Sequence, residues 1–164
     1  NDPAGIRGLV DAAAAFKKIA EARVTFVSRG DESGTDIKEK AIWEKIGLTP
    51  GGDWYISAGQ GMGEVLTLTE ELQAYTLCDR PTYLTRQAAG LRLDILVEGD
   101  PILFNPYSVI PLNPAAHPDI NAELGQAFAL WIVSLPTQDL IASYELNGSP
   151  LFTPDSVPYR AAHR

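Results

Sequence analysis

Regular alternation of helix and strand patterns over the first hundred residues constrains the fold of this chain most strongly. Helical patterns cover 9–22, 33–47, the stretch from the glycine-rich loop at 59–63 to about 73, and 80–90, and strand patterns cover 23–28, 54–58, 74–78 and 93–100. Strict alternation of this kind favours a parallel or mixed sheet covered by helices on both faces. The sequence therefore predicts an α/β fold.

The pattern changes after residue 100, where we predict a domain boundary. An extended apolar segment with two Asn-Pro pairs covers 102–114, and helical patterns follow at 118–133 and 134–145. Trp43 and Trp131 lie on apolar faces of predicted helices, so both are predicted to be core residues. The Pro/Gly-containing opening segment, NDPAGIRG, is typical of a linker that follows an earlier part of a protein.

Composition limits the partners that this chain can have. Its 164 residues, 45% of them hydrophobic, suffice for the core of about one ordinary domain. The net charge of -8 argues against nucleic acid and anionic membranes as partners. Cys78 is the single cysteine, so an internal disulfide is impossible, and no apolar run approaches the ~20 residues of a membrane span. We expect any signal peptide to have been removed or never to have been there.

The segment SRGDESGT lies where the first predicted strand gives way to the second predicted helix. A helix start leaves backbone N–H groups unpaired and carries a partial positive charge. Gly34 would let a ligand approach the backbone closely, and Ser33 and Thr35 would add hydroxyl donors. Arg29, at the strand end, can present a planar fork of donors. These residue types at this position predict the binding of a small oxyanion.

Local helix capping is the alternative interpretation of the same segment. Ser33 followed three residues later by Asp36 forms a variant capping box, which needs no ligand. The carboxylates of Asp31, Glu32 and Asp36 would also repel an anion. Asp31 can nevertheless serve a site, because it could orient the Arg29 guanidinium or accept a proton from a protonated ligand.

A second glycine-rich loop, SAGQGMG, also lies between a predicted strand and a predicted helix. It does not fit the dinucleotide pattern G-x-G-x-x-G, because the sixth position from Gly59 is Glu64, and no G-K-[ST] phosphate loop is present. The backbone from Gly61 to Gly63 would offer further N–H groups at a helix start. Ligands of open α/β sheets bind at the carboxyl ends of the strands, where both loops, and a third that carries Asp79 and Arg80, would lie.

Four stretches together resemble the tungstate-binding proteins of bacterial ABC importers, which belong to the type II periplasmic-binding-protein superfamily. They are FVSRGDESGT, WYISAGQGMG, QAYTLCDRPTYL and LVEGDPILFNPYSVIPLNP. The chain is also similar to the wider group of oxyanion receptors, including phosphate receptors, in which an Arg-x-Asp-x-Ser-Gly-Thr segment coordinates the ligand. The resemblance runs through essentially the whole chain.

The resemblance implies a three-layer α/β/α lobe with a mixed, mostly parallel sheet, and two such lobes that close on one oxyanion. Residues 1–100 would form the second, central lobe, and 101–164 the crossover strand and C-terminal helices of the first lobe. The initial strand and the Thr/Ser-rich ligand loop of the first lobe have no counterpart in this sequence. We therefore expect a missing segment or another chain to complete the site.

The resemblance also implies a set of ligand-binding residues. Arg29, Ser33, Gly34 and Thr35 would contact the oxyanion, Asp31 would orient Arg29, and the second loop would offer backbone donors. The full predicted set is Ser28, Arg29, Asp31, Ser33, Gly34, Thr35, Gly61, Met62 and Gly63. Tungstate is favoured over molybdate by the resemblance alone. The expected partner is an ABC permease, and the expected location is the periplasm or, with a lipid anchor, the cell surface.

Two other functions remain open from the residues themselves. A sensory or enzyme domain could hold a phosphorylated or carboxylated ligand at the same edge, and a scaffold would need only capped helices. A catalyst should place a histidine or a perturbed carboxylate beside the anion site. His117 and His163 are far from Cys78 in sequence, and no cluster with metal-ligand spacing is visible. We expect no catalytic residue, no metal and no cofactor in a protein that is not an enzyme.

Overall fold

The computed structural model describes residues 1–163, which form two compact units divided between Asn105 and Pro106. The first unit contains α1 (Ala12–Ala22), β1 (Phe26–Ser28), α2 (Gly34–Lys45), β2 (Tyr55–Ser57), α3 (Met62–Leu72), α4 (Arg80–Ala88) and a 3-10 turn (Pro101–Leu103). The second unit contains α5 (Ala122–Ile132), α6 (Leu135–Ala142), β3 (Glu145–Leu146), β4 (Ser149–Pro150) and α7 (Val157–Ala162). The predicted mixed α/β fold is confirmed.

The sheet of the first unit is parallel, with β1 in the centre. Phe26 lies opposite Tyr55 on β2 and also forms a parallel bridge with Tyr75. The amide of Phe26 donates to Trp54 O at 2.7 Å, whereas the amide of Val27 donates to Tyr75 O at 2.8 Å. Because successive amides of a strand point to opposite sides, β2 and the Tyr75 segment flank β1. The segments that follow β1, β2 and Tyr75 therefore leave the sheet at the same edge.

Helices cover both faces of this small sheet. Phe26 packs with Phe16 of α1 and Trp43 of α2, and the ring centroids of Phe16 and Trp43 are 4.5 Å apart. Val27 points to the opposite face, where it packs with residues of α3 such as Val65. Alternation of side chains along β1 thus divides the core into two clusters and gives the three-layer α/β/α arrangement that was predicted.

Two predicted strands are wrong. The segment 74–78 is reduced to the single bridge at Tyr75, and 93–100 contains no strand. The backbone of 93–100 forms hydrogen bonds outside any sheet. Leu96 O accepts from the amide of Gly8 at 3.0 Å, and Leu93 O accepts from the Tyr83 hydroxyl at 2.9 Å. An apolar run predicts burial here, but it does not predict a strand neighbour.

The opening segment is not a free linker. Ile6 is only 4% exposed and belongs to the aromatic core cluster. The Asp2 carboxylate accepts hydrogen bonds from the amide of Ile6 at 3.1 Å and from the Tyr75 hydroxyl at 2.7 Å. The amide of Ala4 in turn donates to that hydroxyl at 3.0 Å. These contacts attach the segment to the core beside β1.

The second unit buries little apolar surface of its own. On α5, large apolar side chains are exposed: Leu124, Phe128, Leu130 and Trp131. Trp131 is 52% exposed, so its predicted burial is wrong. Helix α5 begins later than predicted because Asn121 caps it by accepting from the amide of Leu124 at 3.0 Å. The buried Gln138 of α6 accepts from the amides of Asp155 and Ser156, which fixes the start of α7.

Glu39 is a carboxyl group inside the aromatic core. Its side chain is almost completely buried, and its Oε1 accepts from Trp43 Nε1 at 3.0 Å and from the Tyr55 hydroxyl at 2.7 Å. Burial raises the pKa of Glu39 above the usual 4.5, although the hydrogen bonds from Tyr55, Ser28 and Trp43 oppose this shift. The folded protein therefore holds the Glu39 proton more tightly than the unfolded chain does.

We expect Glu39→Gln to change how stability depends on pH. The stability that a raised pKa contributes is fully present below pH 4.5 and is lost as the pH rises through the folded value. The free energy of unfolding of Glu39→Gln, relative to wild type, should therefore increase above pH 4.5, by at most about 1.4 kcal/mol per pH unit. Denaturant titrations at several pH values measure this difference. Glu44→Gln, an exposed change on the same helix, should show no such trend, and a flat difference for Glu39→Gln would contradict the prediction.

Candidate functional site

Two loops meet at the carboxyl edge of the sheet. The first loop, residues 28–35, extends from the last residue of β1 into the first turn of α2, and the second loop, residues 57–63, extends from the last residue of β2 into the first turn of α3. The amide of Ala58 donates to Ser28 O at 3.0 Å, and the amide of Gln60 donates to Arg29 O at 3.3 Å. The parallel pairing of the strands therefore continues into the loops and holds them side by side.

Glycine at position 30 permits this close contact between the loops. Gly30 has a φ of +64°, and a Cβ placed on it would lie 2.1 Å from Ser57 Oγ. Any larger residue would have both an unfavourable backbone conformation and a steric overlap with the second loop. The contact between the loops thus depends on the absence of one side chain.

Each loop ends at a helix start with unpaired amides. In α2 the N-cap is Ser33, whose hydroxyl accepts from the amide of Asp36 at 3.4 Å. The amides of Gly34 and Thr35 have no hydrogen-bond acceptor among residues 1–163. In α3 the N-cap is Gly61, which has no side chain to cap the helix, and the amides of Met62 and Gly63 likewise lack an acceptor within the described chain. Four free N–H groups therefore lie at this edge of the sheet.

Arg29 adds a cation whose orientation is fixed. Its Nε donates to Asp31 Oδ2 at 2.9 Å, and the amide of Ser33 donates to the other carboxylate oxygen at 3.1 Å. Hydrogen bonding from Ser33, together with the charge of Arg29, lowers the pKa of Asp31, so this carboxylate stays ionised at neutral pH. The Arg29 side chain is 22% exposed, and its two terminal nitrogens have no partner among the residues described. Asp31 thus orients the guanidinium and leaves these donors available to a ligand.

The residue that organises the first loop is Asp36, which was predicted from the sequence only to be part of a capping box. It is completely buried and accepts from the amides of Gly30 at 3.1 Å and Glu32 at 3.0 Å. Lys40 Nζ donates to the same carboxylate at 2.6 Å. Burial opposes ionisation, but the hydrogen bonds from Lys40, Glu32 and Gly30 lower the pKa of Asp36. The signal in the sequence was an acid in the first turn of a helix with a lysine four residues later.

Two of the predicted ligand-binding residues have side chains that point into the core. Ser28 is completely buried, and its hydroxyl donates to Asp36 Oδ1 at 3.5 Å. Met62 is 4% exposed and packs in the cluster with Val27 and Val65, although its amide is one of the free groups. At both positions the backbone belongs to a loop, whereas the side chain packs in the core beneath that loop.

The third loop does not add its arginine to the site. The Asp79 carboxylate caps α4 by accepting from the amide of Thr82 at 2.8 Å. Arg80 forms an ion pair with Glu98. Both charged side chains of the third loop are therefore paired with other residues of the first unit.

Two further features are lacking from the described residues. Within residues 1–163, no group of three or more His, Cys, Asp and Glu side chains is placed to hold a metal ion. None of the helices described is long and apolar enough to span a membrane.

Comparison with known proteins identifies the family of this chain. Its sequence is 51% identical over 160 residues to the tungstate-binding protein TupA of Peptoclostridium acidaminophilum, covering 95% of this chain and 56% of that protein. It is 48% identical over 162 residues to a putative ABC transporter anion-binding protein of Haloferax volcanii, covering 96% of this chain and 47% of that protein. The chain thus spans about half the length of these curated relatives.

The fold agrees with the sequence comparison. The solved structure of the tungstate-binding protein TupA from Desulfovibrio alaskensis G20 is similar, with a TM-score of 0.80 and 44% identity, and the similarity covers 94% of this chain and 64% of that one. The family model described as the PBP superfamily domain matches residues 1–135. Since this match extends over most of the sequence, the chain belongs to the PBP superfamily domain family.

Proposed function

We propose that this chain binds a tetrahedral oxyanion, with tungstate as the preferred ligand, as part of the solute-binding component of an ABC importer. One observation carries the proposal: the two loops lie side by side, with free amides at the starts of α2 and α3. Arg29 stands beside them with its terminal nitrogens unpaired among the described residues. The role is binding and delivery to a membrane permease, not catalysis.

The physical basis is the replacement of water by fixed donors. Free amides at a helix start point toward one small region, and the helix dipole favours negative charge there. The Arg29 guanidinium adds charge-assisted hydrogen bonds, which are shorter and stronger than neutral ones. Such local donors must overcome the repulsion from a protein whose net charge is -8.

The names of the relatives support the ligand and the partner. Two of the similar proteins bear the name tungstate-binding protein TupA, and a third is named a putative ABC transporter anion-binding protein. From these names we propose tungstate ahead of molybdate, an ABC permease as the membrane partner, and a location in the periplasm or at the cell surface. The two dianions have nearly equal size and charge, so only a titration separates them.

We further propose that residues 1–100 act as the second, central lobe and that 101–164 belong to the first lobe. The relatives are about twice as long as the matched region, and the second unit exposes the apolar side chains of α5. Both observations support a cleft that another segment, or another chain, completes. Ligand affinity should therefore be higher in a protein extended to the length of its relatives.

We expect Arg29→Ala to weaken tungstate binding by more than tenfold. Each charge-assisted hydrogen bond that is lost contributes about 1.5 kcal/mol or more, and this variant loses every donor of the guanidinium. Isothermal titration calorimetry with tungstate, molybdate, sulfate and phosphate, on this chain and on an extended chain, measures the loss and the selectivity.

Arg80→Ala is the matched control for this measurement. It removes an equal charge from the third loop, but Arg80 pairs with Glu98 instead of facing the site. Tungstate affinity should remain within about twofold of wild type, as expected for an exposed and screened charge. Wild-type affinity in Arg29→Ala would rule out the proposed site.

We expect Gly30→Ala to weaken anion binding, although the added methyl group would not contact the ligand. The added methyl group would displace Ser57 Oγ, lie 3.3 Å from the amide nitrogen of Gly59 and require an L-residue at a φ of +64°, so the contact between the two loops should be strained. We expect a loss of affinity of at least about tenfold, and a fall in stability of about 1–3 kcal/mol from the strained backbone. Gly34→Ala, at a position with open space for a Cβ, should change the stability much less. Calorimetric titration together with thermal denaturation separates the two effects, and unchanged values for Gly30→Ala would show that the contact between the loops is unimportant.

A further inference from the structure

A buried acid lies directly after the first loop, where an anion-binding protein should avoid one. Asp36 lies in the first turn of α2, completely excluded from solvent. Its backbone is within one helical turn of the free amides of Gly34 and Thr35. A negative charge at this depth is poorly screened and would repel a dianion bound at the helix start.

The geometry of the loop nevertheless requires that Asp36 be ionised. Its two carboxylate oxygens accept from the amides of Gly30 and Glu32, at 3.1 Å and 3.0 Å. Both donors belong to residues with positive φ, +64° for Gly30 and +61° for Glu32. An ionised carboxylate is acceptor-only at both oxygens, whereas a protonated one would turn one oxygen into a donor. Since the Ser28 hydroxyl and Lys40 Nζ also donate to this carboxylate, a proton on Asp36 would compete with four existing donors and weaken the hydrogen bonds that hold the loop.

Lys40 provides the other way to neutralise this charge. It lies one turn further along α2, and its Nζ is 2.6 Å from Asp36 Oδ2. The Asp36 side chain is 0% exposed, whereas the Lys40 side chain is 56% exposed, so the ammonium group reaches the buried carboxylate from the solvent side. The hydrogen bond with Asp36 raises the pKa of Lys40, with the charges of Asp36, Glu39 and Glu32 adding to this effect.

We infer that Lys40 is a positioning residue that sets the affinity of the site for doubly charged oxyanions without contacting them. It cancels the charge of Asp36, which has to stay ionised to shape the first loop. This inference rests on the proposed function and assigns a role to a residue outside the predicted ligand-binding set. Because this role is electrostatic, the loss of anion affinity on removal of the Lys40 ammonium group should depend on the charge of the anion.

Two anions of the same shape test this dependence. Tungstate and perrhenate are both tetrahedral, four-oxygen metal anions of nearly equal size, but tungstate carries two negative charges and perrhenate one. Because the Coulomb energy is proportional to ligand charge, the fold loss of tungstate affinity in Lys40→Met should be about the square of the loss for perrhenate. Because this lysine is partly exposed, we expect an affinity loss of about tenfold for tungstate and about threefold for perrhenate. Calorimetric titration with tungstate, and displacement of tungstate by perrhenate, give both values.

Three measurements accompany these titrations. Lys40→Arg keeps the charge and should restore tungstate affinity to within about twofold of wild type. Lys45→Met removes an equal charge from the last turn of the same helix and should leave both affinities nearly unchanged. Thermal denaturation establishes that Lys40→Met remains folded, as expected because methionine favours helices.

The outcomes distinguish this inference from the proposed function. Equal fold losses for the two anions, or no loss for either, would overturn the role of Lys40 while the anion site itself stands. A loss in Lys45→Met as large as in Lys40→Met would also overturn it, because net charge alone would then explain the result. If the wild-type protein binds neither anion, the proposed function fails and the inference fails with it.

Discussion

The parallel pairing of β1 with β2 is the interaction on which the candidate site depends. It places the ends of both strands at one edge, and its hydrogen bonds continue past the strands, from Ala58 to Ser28 and from Gln60 to Arg29. Each strand has only three residues, so the sheet alone is too short to fix this edge. Helices packed on both faces, around Phe26 on one side and Val27 on the other, supply the remaining stability. The position of the loops is therefore a consequence of the core that lies beneath them.

Polar side chains buried below the loops do as much to shape the site as those that face solvent. Asp36 holds the backbone of the first loop, and Glu39 connects α2 to β2 through the Tyr55 hydroxyl. These two acids lie one turn apart, and their pKa values are shifted in opposite directions: hydrogen bonding lowers the pKa of Asp36, whereas burial raises the pKa of Glu39. A helix that presents amides to an anion thus also contains two carboxyl groups, and the proton affinity of each is set by its own surroundings.

Local pattern predicted much of the fold, and its failures have a common cause. The alternation of helices and strands, the α2 cap at Ser33 and the position of the two glycine-rich loops follow from residues close in sequence. The predicted strands at 74–78 and 93–100, the linker at the start of the chain and the burial of Trp131 were wrong, because each depends on partners far away in sequence. The role of Asp36 was missed for a different reason: its partners, the amides of Gly30 and Glu32, are close in sequence, but these hydrogen bonds form only when the loop turns back over the helix. The set of anion-contacting residues itself stays a prediction.

The absence of a side chain at Gly30 has a consequence for how this site can change. A Cβ there would lie 2.1 Å from Ser57 Oγ, so the two loops are in direct contact at this point. We call this contact between Gly30 and Ser57 the seam. A substitution that adds a side chain at the seam in one loop therefore needs a smaller residue in the other loop. Otherwise the contact is disturbed, and with it the relative orientation of the two helix starts. Variants that alter the backbone at position 30 should accordingly need a compensating change at Ser57, whereas positions with open space around them, such as Gly34, can change independently.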